Sequence, residues 1–329
     1  MSKRFYSKKS EELARDAYKA QQAGSELTDL HEVRRLEDRL RRDHTDVITR
    51  CTLMGFYRES KLPEATDEWF SHVEWLIKNC PDEKLMAGLW VPDSVSHEQY
   101  DSLKDSFLQK VARNPKNANV VGHAAMFLRK GDSHLKKRLY KRAKRLAPQD
   151  WRWRQRLFYL YSLEARQKDD EKVAAKAFKE GQKCLRMLKK QHQIGESLGV
   201  IKRLCDLALE MDQLKLAALF IREFKDSEID SFWPFMRHMY QGLLAMKNGD
   251  IDRAQSQLLK YAHKGGYLGD FRLANQLVEL DESPTVVKFL IICLKEHPDE
   301  EEKELVHSWL KPLRQGKKFE LSFPGRQNS

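Results

Sequence analysis

The stretch of sequence that decides the fold is Asn114–Pro148, NPKNANVVGHAAMFLRKGDSHLKKRLYKRAKRLAP. Its two prolines, Pro115 and Pro148, stand 33 residues apart. Small and apolar residues recur between them at helical spacing: Ala124, Ala125, Leu128, Tyr140 and Ala143. Such spacing places the side chains on one face of a helix that precedes a polar turn and on one face of a second helix that follows it. The stretch therefore predicts two antiparallel helices that form one unit of a repeat.

Three further units of the same kind follow Pro148. Their small and large residues are, in chain order, Leu157, Phe158, Tyr161, Ala174, Phe178 and Gly181, then Ile201, Leu204, Cys205, Ala208, Ala217, Ile221 and Phe224, then Gly242, Ala245, Gly249, Ala254 and Leu258. In a hairpin repeat the small residues let two helices approach closely, and the large residues fill the gap between successive hairpins. No single helix here can bury its apolar stripe alone, so we expect the hairpins to stack.

The four units resemble the tetratricopeptide-repeat superfamily over about residues 115–264. That family's unit carries W-x2-L-G-x2-Y on its first helix, and A-x3-F, a small residue and a closing proline on its second. The units depart from this pattern, because the first-helix Trp is missing, Phe158 replaces the small Gly, and their lengths differ. The resemblance implies an all-α fold built as an antiparallel helix-hairpin repeat array, an α-solenoid. The alternative is an irregular helical bundle.

Helical periodicity extends to both flanks of the repeats. We predict helices at residues 25–42, 45–60, 63–79, 97–112, 117–130, 133–146, 150–165, 170–190, 196–210, 213–225, 232–248, 251–263, 284–296 and 299–314. They define a basic, partly disordered N-terminal segment (1–24), N-terminal helical hairpins (25–96), the repeat core (97–264), C-terminal capping helices (265–314) and a tail (315–329). Residues 1–96 form either a separate domain or a continuation of the array.

Composition agrees with long amphipathic helices, because charged residues make up 33% of the chain whereas Gly (15) and Pro (10) are scarce. The longest apolar run, Phe289–Leu294, is far short of the roughly 18 residues that a membrane span needs. The basic N-terminus is not followed by an apolar segment, so it is not expected to act as a secretory signal. Five scattered cysteines indicate reduced core thiols. We therefore expect a cytoplasmic protein with no membrane partner.

The resemblance also implies where a partner binds, because tetratricopeptide arrays hold an extended peptide or a helix in the concave groove lined by their first helices. The groove positions carried over to this chain are Asn119, Met126, Arg129, Arg152, Gln155, Tyr159, Lys202, Asp206, Met239 and Leu243. Mixed hydrogen-bond donors, flexible methionines and aromatic surface suit a peptide. The positions do not reproduce the Lys/Asn carboxylate clamp of chaperone-tail-binding members, so that partner is not implied. For each residue taken singly, ordinary surface or core is the competing interpretation.

Positive charge is concentrated in residues 129–156, where twelve lysines and arginines face two acids, a local net charge of +10 in a chain of +11. Three of the lysines share one helix face: Lys137, Lys141 and Lys144. A second stripe lies on one side of the helix predicted at 170–190: Lys172, Lys176, Lys179, Lys183, Arg186 and Lys190. Such a density of cations attracts phosphate backbones or acidic protein surfaces, so binding of nucleic acid or another polyanion through residues 129–190 is the alternative function. The competing interpretation is a solvated helix face.

The sequence carries no nucleophile elbow, phosphate-binding loop, HExxH zinc motif or Rossmann glycine loop. Its eleven histidines form no HxH or H-x3-H pair at metal-ligand spacing. We therefore predict a non-catalytic scaffold that binds a protein or peptide partner and has no cofactor and no metal.

The tail, residues 315–329, alternates apolar with polar residues at Phe319, Leu321 and Phe323. This alternation is typical of a short strand or a docking peptide. The tail is predicted either to occupy the groove of its own array or to be disordered, which is the ordinary state of a chain end.

Overall fold

The computed structural model describes residues 6–89, 91–92, 95–226, 233–263, 270–296 and 300–322. Within these ranges the chain is helical and has no β-strand, which confirms the all-α prediction. The helices are α1 (Lys8–Ser25), α2 (Leu30–Arg42), α3 (Val47–Glu59), α4 (Ala65–Asn79), α5 (His97–Arg113), α6 (Ala118–Phe127), α7 (Ser133–Leu146), α8 (Trp151–Lys168), α9 (Glu171–Lys190), α10 (Ile194–Glu210), α11 (Leu214–Arg222), α12 (Trp233–Lys247), α13 (Ile251–His263), α14 (Arg272–Glu279), α15 (Ser283–Glu296) and α16 (Glu300–Arg314).

The chain divides into two compact units, an N-terminal unit (Met1–Leu157) and a C-terminal unit (Phe158–Ser329). The division falls inside α8, and therefore inside the segment 97–264 that the sequence predicts as one repeat core.

Most of the predicted helices are found to within a few residues. The start of α2 differs, because the Asp29 carboxylate caps the helix by accepting a backbone N–H at 2.8 Å, so that α2 begins at Leu30. The sequence does not predict α1, although residues 8–24 of the segment expected to be partly disordered lie in it. The sequence does not predict α14 either, a helix of eight residues.

Short turns that share one backbone feature follow α8, α10, α12 and α14. Each turn contains a residue with positive φ: Asp169 (48°), Asp212 (50°), Gly249 (74°) and Asp281 (64°). This left-handed conformation ends a helix and reverses the chain. Aspartate adopts it more readily than most residues do, and glycine adopts it without strain. We call α6, α8, α10, α12 and α14 the first helices, and α7, α9, α11, α13 and α15 the second helices.

In the C-terminal unit, each helix from α9 to α15 contacts the helix that follows it in the chain. The first helix α12 also contacts the first helices α10 and α14, and the second helix α13 contacts the second helix α15. The hairpins that contain these helices therefore pack on one another through helices of the same kind.

The N-terminal unit contains a very close crossing of α1 and α3, formed by Gly24 and Gly55. A Cβ atom on Gly24 would lie 1.9 Å from the backbone oxygen of Thr52, and one on Gly55 would lie 2.1 Å from the backbone oxygen of Gln21. Both distances are far inside van der Waals contact, so only hydrogen fits at these positions. The buried residues at this crossing are also small: Ala17, Ala20 and Cys51.

We expect Gly55→Ala to lower the free energy of unfolding by about 1–3 kcal/mol, the usual cost of overpacking, because the added methyl group must push two helix backbones apart. Gly195→Ala is the matched control, because Gly195 lies in α10 where a Cβ atom meets open space. That change should be neutral or should stabilise the protein by up to about 1 kcal/mol. Urea unfolding followed by far-UV circular dichroism measures both. Equal stability of Gly55→Ala and the wild type would contradict the close crossing.

Candidate functional site

Two first helices begin with the same pattern, an aspartate, an aromatic residue and an arginine. The pattern is Asp150-Trp-Arg152 at α8 and Asp270-Phe-Arg272 at α14. In both, the arginine donates its backbone N–H and its Nε–H to the aspartate carboxylate, at 3.0 and 2.9 Å in the first and at 3.2 and 2.9 Å in the second. The carboxylate therefore accepts an otherwise unpaired N–H at the helix start and also neutralises the guanidinium.

Each arginine also reaches the preceding first helix. Arg152 donates from Nη2 to Asn119 Oδ1 on α6 at 3.2 Å, and Arg272 donates from Nη2 to Met239 Sδ on α12 at 3.8 Å. The two contacts are equivalent in the sequence, because Asn119 and Met239 are 120 residues apart, as are the two arginines.

A glycine on the preceding helix faces the residue that follows each arginine. A Cβ atom on Gly122 would lie 2.2 Å from the ring of Trp153, and one on Gly242 would lie 2.2 Å from Leu273 Cδ2. These residues, too, are 120 positions apart. The start of α8 on α6 in the N-terminal unit and the start of α14 on α12 in the C-terminal unit are therefore two copies of one arrangement, which we call the arginine junction.

Three first helices of the C-terminal unit meet at Arg272. Its Nη1 donates to Asp206 Oδ1 on α10 at 2.7 Å, and the Tyr240 hydroxyl on α12 donates to the same oxygen at 2.5 Å. Burial lowers the pKa of Arg272, but the hydrogen bonds and charges of Asp270 and Asp206 outweigh burial and raise this pKa well above its ordinary value. The guanidinium therefore stays charged and links α10, α12 and α14.

This cluster leaves a polar edge on the surface of the first helices, because the Arg272 side chain is 30% exposed. Burial raises the pKa of Tyr240 well above its ordinary value, and the charge of Asp206 adds to the effect. The hydroxyl therefore keeps its proton and remains a donor. The cluster can therefore present a charged guanidinium and carboxylate oxygens that accept hydrogen bonds from a partner.

In the N-terminal unit Tyr6 covers the arginine junction. The Tyr6 ring centre lies 4.1 Å from the guanidinium carbon of Arg152, and the Tyr6 hydroxyl lies 2.6 Å from His123 Nε2. His123 is 0% exposed, and its Nδ1 lies 2.9 Å from the carbonyl oxygen of Pro81. Burial lowers the pKa of His123 to about 4. The imidazole is therefore neutral at physiological pH and is held between an aromatic hydroxyl and a backbone carbonyl.

Five of the predicted groove residues lie in the N-terminal unit: Asn119, Arg152, Met126, Gln155 and Arg129. The first two are hydrogen-bonded to each other. Met126 is half-buried and Gln155 is buried. Arg129 has different partners, because its guanidinium carbon lies 4.3 Å from the ring centre of Tyr100 on α5 and its backbone N–H donates to the Tyr100 hydroxyl at 2.8 Å.

The other five lie in the C-terminal unit: Tyr159, Lys202, Asp206, Met239 and Leu243. Met239 and Leu243 are buried in the core, at 0% and 5% exposure, and offer almost no surface to a partner. The remaining three are half-buried. Arg203, which the sequence interpretation missed, stacks on Tyr159 with its guanidinium carbon 4.4 Å from the ring centre.

The sequence interpretation also missed Tyr240 and Arg272, the two residues that bind Asp206. Arg272 lies beyond the last repeat unit recognised in the sequence, which ends near residue 264. The signal that points to it is the second occurrence of the aspartate–aromatic–arginine pattern at Asp270. No comparable signal marks Tyr240, because a tyrosine on a helical apolar stripe is ordinary core.

The two basic stripes differ in exposure. On α9 all six cations are exposed: Lys172, Lys176, Lys179, Lys183, Arg186 and Lys190. On α7, Lys141 is exposed whereas Lys137 and Lys144 are half-buried. Neighbouring Lys189 pairs with Glu223, but the six cations of the α9 stripe form no ion pair with any residue that the structure describes. The α9 stripe is therefore uncompensated positive surface.

Across the described ranges, no three His, Cys, Asp or Glu side chains come together as metal ligands do. None of the helices in those ranges is both long enough and apolar enough to cross a membrane. No protein-family model matches the chain, and no curated protein matches it either.

We expect the stability of the protein to fall as the pH decreases from about 6.5 to 4, in part because of His123. The unfolded chain takes up a proton near the ordinary histidine pKa of 6.5, whereas folded His123 stays neutral until about pH 4. Between these values protonation favours the unfolded state, by up to about 1.4 kcal/mol per pH unit for one histidine. Urea unfolding at several pH values measures the slope.

His123→Gln should flatten this slope, because an amide does not titrate in the window. Part of the slope should remain, because burial also lowers the pKa of His72 to about 4. His97→Gln is the control, because His97 is exposed at the start of α5. A His123→Gln protein with the full wild-type slope would show that His123 does not carry the effect.

Proposed function

We propose that the protein is a non-catalytic repeat scaffold of tetratricopeptide-like helix hairpins, which binds a protein or peptide partner on the face of its first helices. The observation that carries the proposal is the arginine junction, which recurs with an offset of 120 residues at Arg152 and Arg272. A junction that recurs with one register is typical of stacked repeats, in which each hairpin contacts the next in the same way.

The helix packing of the C-terminal unit supports the same proposal. The first helix α12 contacts the first helices α10 and α14, and the second helix α13 contacts the second helix α15. An irregular bundle, the alternative fold, has no reason to repeat contacts between alternate helices. That the hairpins stack into a helical-repeat array is part of this proposal.

The half-buried residues of α10 suggest how a partner is held. Lys202 and Arg203 supply cationic donors, and Asp206 supplies an acceptor whose orientation Tyr240 and Arg272 fix. Donors and acceptors fixed on a rigid helix face suit the backbone and acidic side chains of an extended peptide. Met239 and Leu243 are core residues, so they pack beneath this surface and do not contact a partner directly.

Peptides selected on the full-length chain from a displayed random library test the proposal. We expect the double variant Lys202→Ala/Arg203→Ala to bind the selected peptides at least about tenfold more weakly, a loss of about 1.4 kcal/mol. The control is Lys215→Ala/Arg222→Ala, which removes the same residue types from exposed positions on the second helix α11. Fluorescence anisotropy gives both affinities. A selection that yields no binder, or an equal loss in both variants, would count against the first-helix face.

A second candidate function, binding of nucleic acid or another polyanion, is favoured by the uncompensated α9 stripe. Phosphate backbones bind to such surfaces by releasing counterions, and the affinity then falls steeply with salt. We expect Lys176→Glu/Lys179→Glu/Lys183→Glu to weaken binding of single-stranded RNA at low salt. The slope of log K against log salt should flatten by about 0.7 for each phosphate that the protein no longer neutralises.

The matched control reverses three exposed lysines on other helices, Lys215, Lys288 and Lys311, and so changes the net charge equally. If the stripe is a binding surface, this control should retain most of the wild-type affinity and salt slope. An equal loss in both triple variants would indicate only general attraction by net charge. No detectable RNA or DNA binding by the wild type at low salt would remove the second candidate.

The cytoplasmic location predicted from the cysteine pattern remains part of the proposal. All five cysteines are buried, and none of them is in a disulfide. Burial raises the pKa of the Cys51 thiol to about 12 and that of the Cys80 thiol to about 11, which keeps both in the unreactive protonated form.

A further inference from the structure

The chain after α16 returns to the first helix α14. Gly316, with a φ of 72°, ends α16, and the Lys317 N–H donates to the Pro312 carbonyl at 3.0 Å. Residues 317–322 are not helical. Phe323, which the sequence groups with this segment, lies outside the described residues. We call residues 317–322 the C-terminal segment.

Asn275 on α14 holds the backbone of this segment. Its Oδ1 accepts from the Leu321 N–H at 2.8 Å, and its Nδ2 donates to the Leu321 carbonyl at 3.2 Å. Both partners are main-chain atoms of one residue, so the amide binds the backbone of the segment and not a side chain. The Leu321 side chain is 2% exposed, whereas Glu320 and Ser322 are exposed. This alternation is that of an extended peptide lying with one edge on a surface.

Lys318 is held at the other end of α14. Its Nζ donates to the Glu279 carbonyl at 2.8 Å and lies 2.9 Å from Asp281 Oδ1. A cation is favoured there, because the last carbonyls of a helix are unpaired and its C-terminus carries partial negative charge. The segment is therefore fixed at two points, a lysine at the end of α14 and a leucine three residues later at its middle.

The position of Asn275 places this contact on the first-helix face. Asn275 follows Arg272 by three residues, so the two side chains lie on neighbouring parts of the same side of α14. Asn275 is also 120 residues from Gln155, just as Arg272 is 120 residues from Arg152, so Asn275 and Arg272 have the same spacing on α14 as Gln155 and Arg152 have on α8. The C-terminal segment thus lies beside the Arg272 cluster, on the surface assigned above to a partner.

We propose that the Asn275 side of α14 is a binding site for an extended peptide with a lysine three residues before a leucine, and that the C-terminal segment is a tethered occupant which a partner peptide must displace. This inference rests on the proposed function and names the regulation of the same surface. Because the segment is tethered to the site, a few contacts are enough to keep the site occupied. A short linker gives the segment an effective concentration in the millimolar range, so a weak interaction is enough to fill the site.

The contacts are also of a kind that a partner can replace. The Lys318–Asp281 pair is solvent-exposed, with side chains 40% and 79% exposed, and such pairs contribute little to stability. The two hydrogen bonds at Asn275 are available to the backbone of any extended chain. The Leu321 side chain is the buried anchor of the segment, so removing its apolar character should open the site.

The test uses a fluorescein-labelled peptide with the sequence of residues 315–329 and three full-length proteins. The wild type keeps its own segment in place, Leu321→Asp releases it, and Ser322→Asp adds the same carboxylate on the exposed side as a control. We expect Leu321→Asp to bind the peptide at least about tenfold more tightly than the wild type or Ser322→Asp, because the tethered competitor is gone. Fluorescence anisotropy measures the affinities, and circular dichroism checks the fold of each variant.

A fourth protein, Leu321→Asp/Asn275→Ala, should lose most of this gain, because the peptide backbone then lacks both amide hydrogen bonds. If Leu321→Asp does not fold, Lys318→Glu in the full chain releases the segment from the other point. Equal peptide affinity in the wild type and a folded release variant, or full affinity without Asn275, would overturn the proposal. The probe is the chain's own sequence, so this result is independent of whether library peptides bind through Lys202 and Arg203.

Discussion

The architecture depends on an arginine that is neutralised by its own chain before it contacts a neighbouring helix. At the start of α14, Asp270 lies two residues before Arg272 and binds its guanidinium, which then also binds Asp206 of α10. A half-buried charge without such a partner would cost several kcal/mol. The local carboxylate therefore allows a charge to sit between helices. Because the contact is directional, it also sets the position of α14 along α10 and α12.

The residue after each arginine sets how closely the helices approach. Trp153 packs against Gly122 and Leu273 packs against Gly242. In each junction, one residue therefore makes the polar contact with the preceding helix and the next residue makes the apolar contact. The two junctions share only the aspartate, the arginine and the glycine, whereas the packing partner changes from tryptophan to leucine. An arrangement built this way can differ in most of its sequence and keep the same alignment of its two helices.

Periodicity predicted the helical fold well, because a buried stripe of large apolar residues requires a helix wherever it recurs. It failed for α1, where the buried residues Ala17, Ala20 and Gly24 are small and leave no stripe in the sequence. The candidate site was predicted less well. Periodicity shows in which direction a side chain points from its helix, but it does not show which neighbouring helix packs over that side chain. Met239 was therefore predicted to lie on the surface, whereas it is fully buried. Asp206 was identified, whereas Arg272 lay beyond the recognised repeats.

The C-terminal unit has two charged surfaces that differ in how their charges are paired. In the Arg272 cluster every charge has a partner at hydrogen-bond distance, and one guanidinium with two carboxylates leaves a net formal charge of −1, so its long-range field is weaker than that of six like charges. The α9 stripe has six exposed cations without ion pairs in the described part of the chain, so its field reaches about a Debye length into solution. Under the proposed function, a ligand of the first-helix face is selected by directional hydrogen bonds to the Arg272 cluster and to Lys202 and Arg203. Under the second candidate function, a ligand of α9 is attracted by charge over a longer distance, and added salt weakens its binding. The two proposals therefore assign different tasks to the two surfaces, because paired and unpaired charges act over different distances.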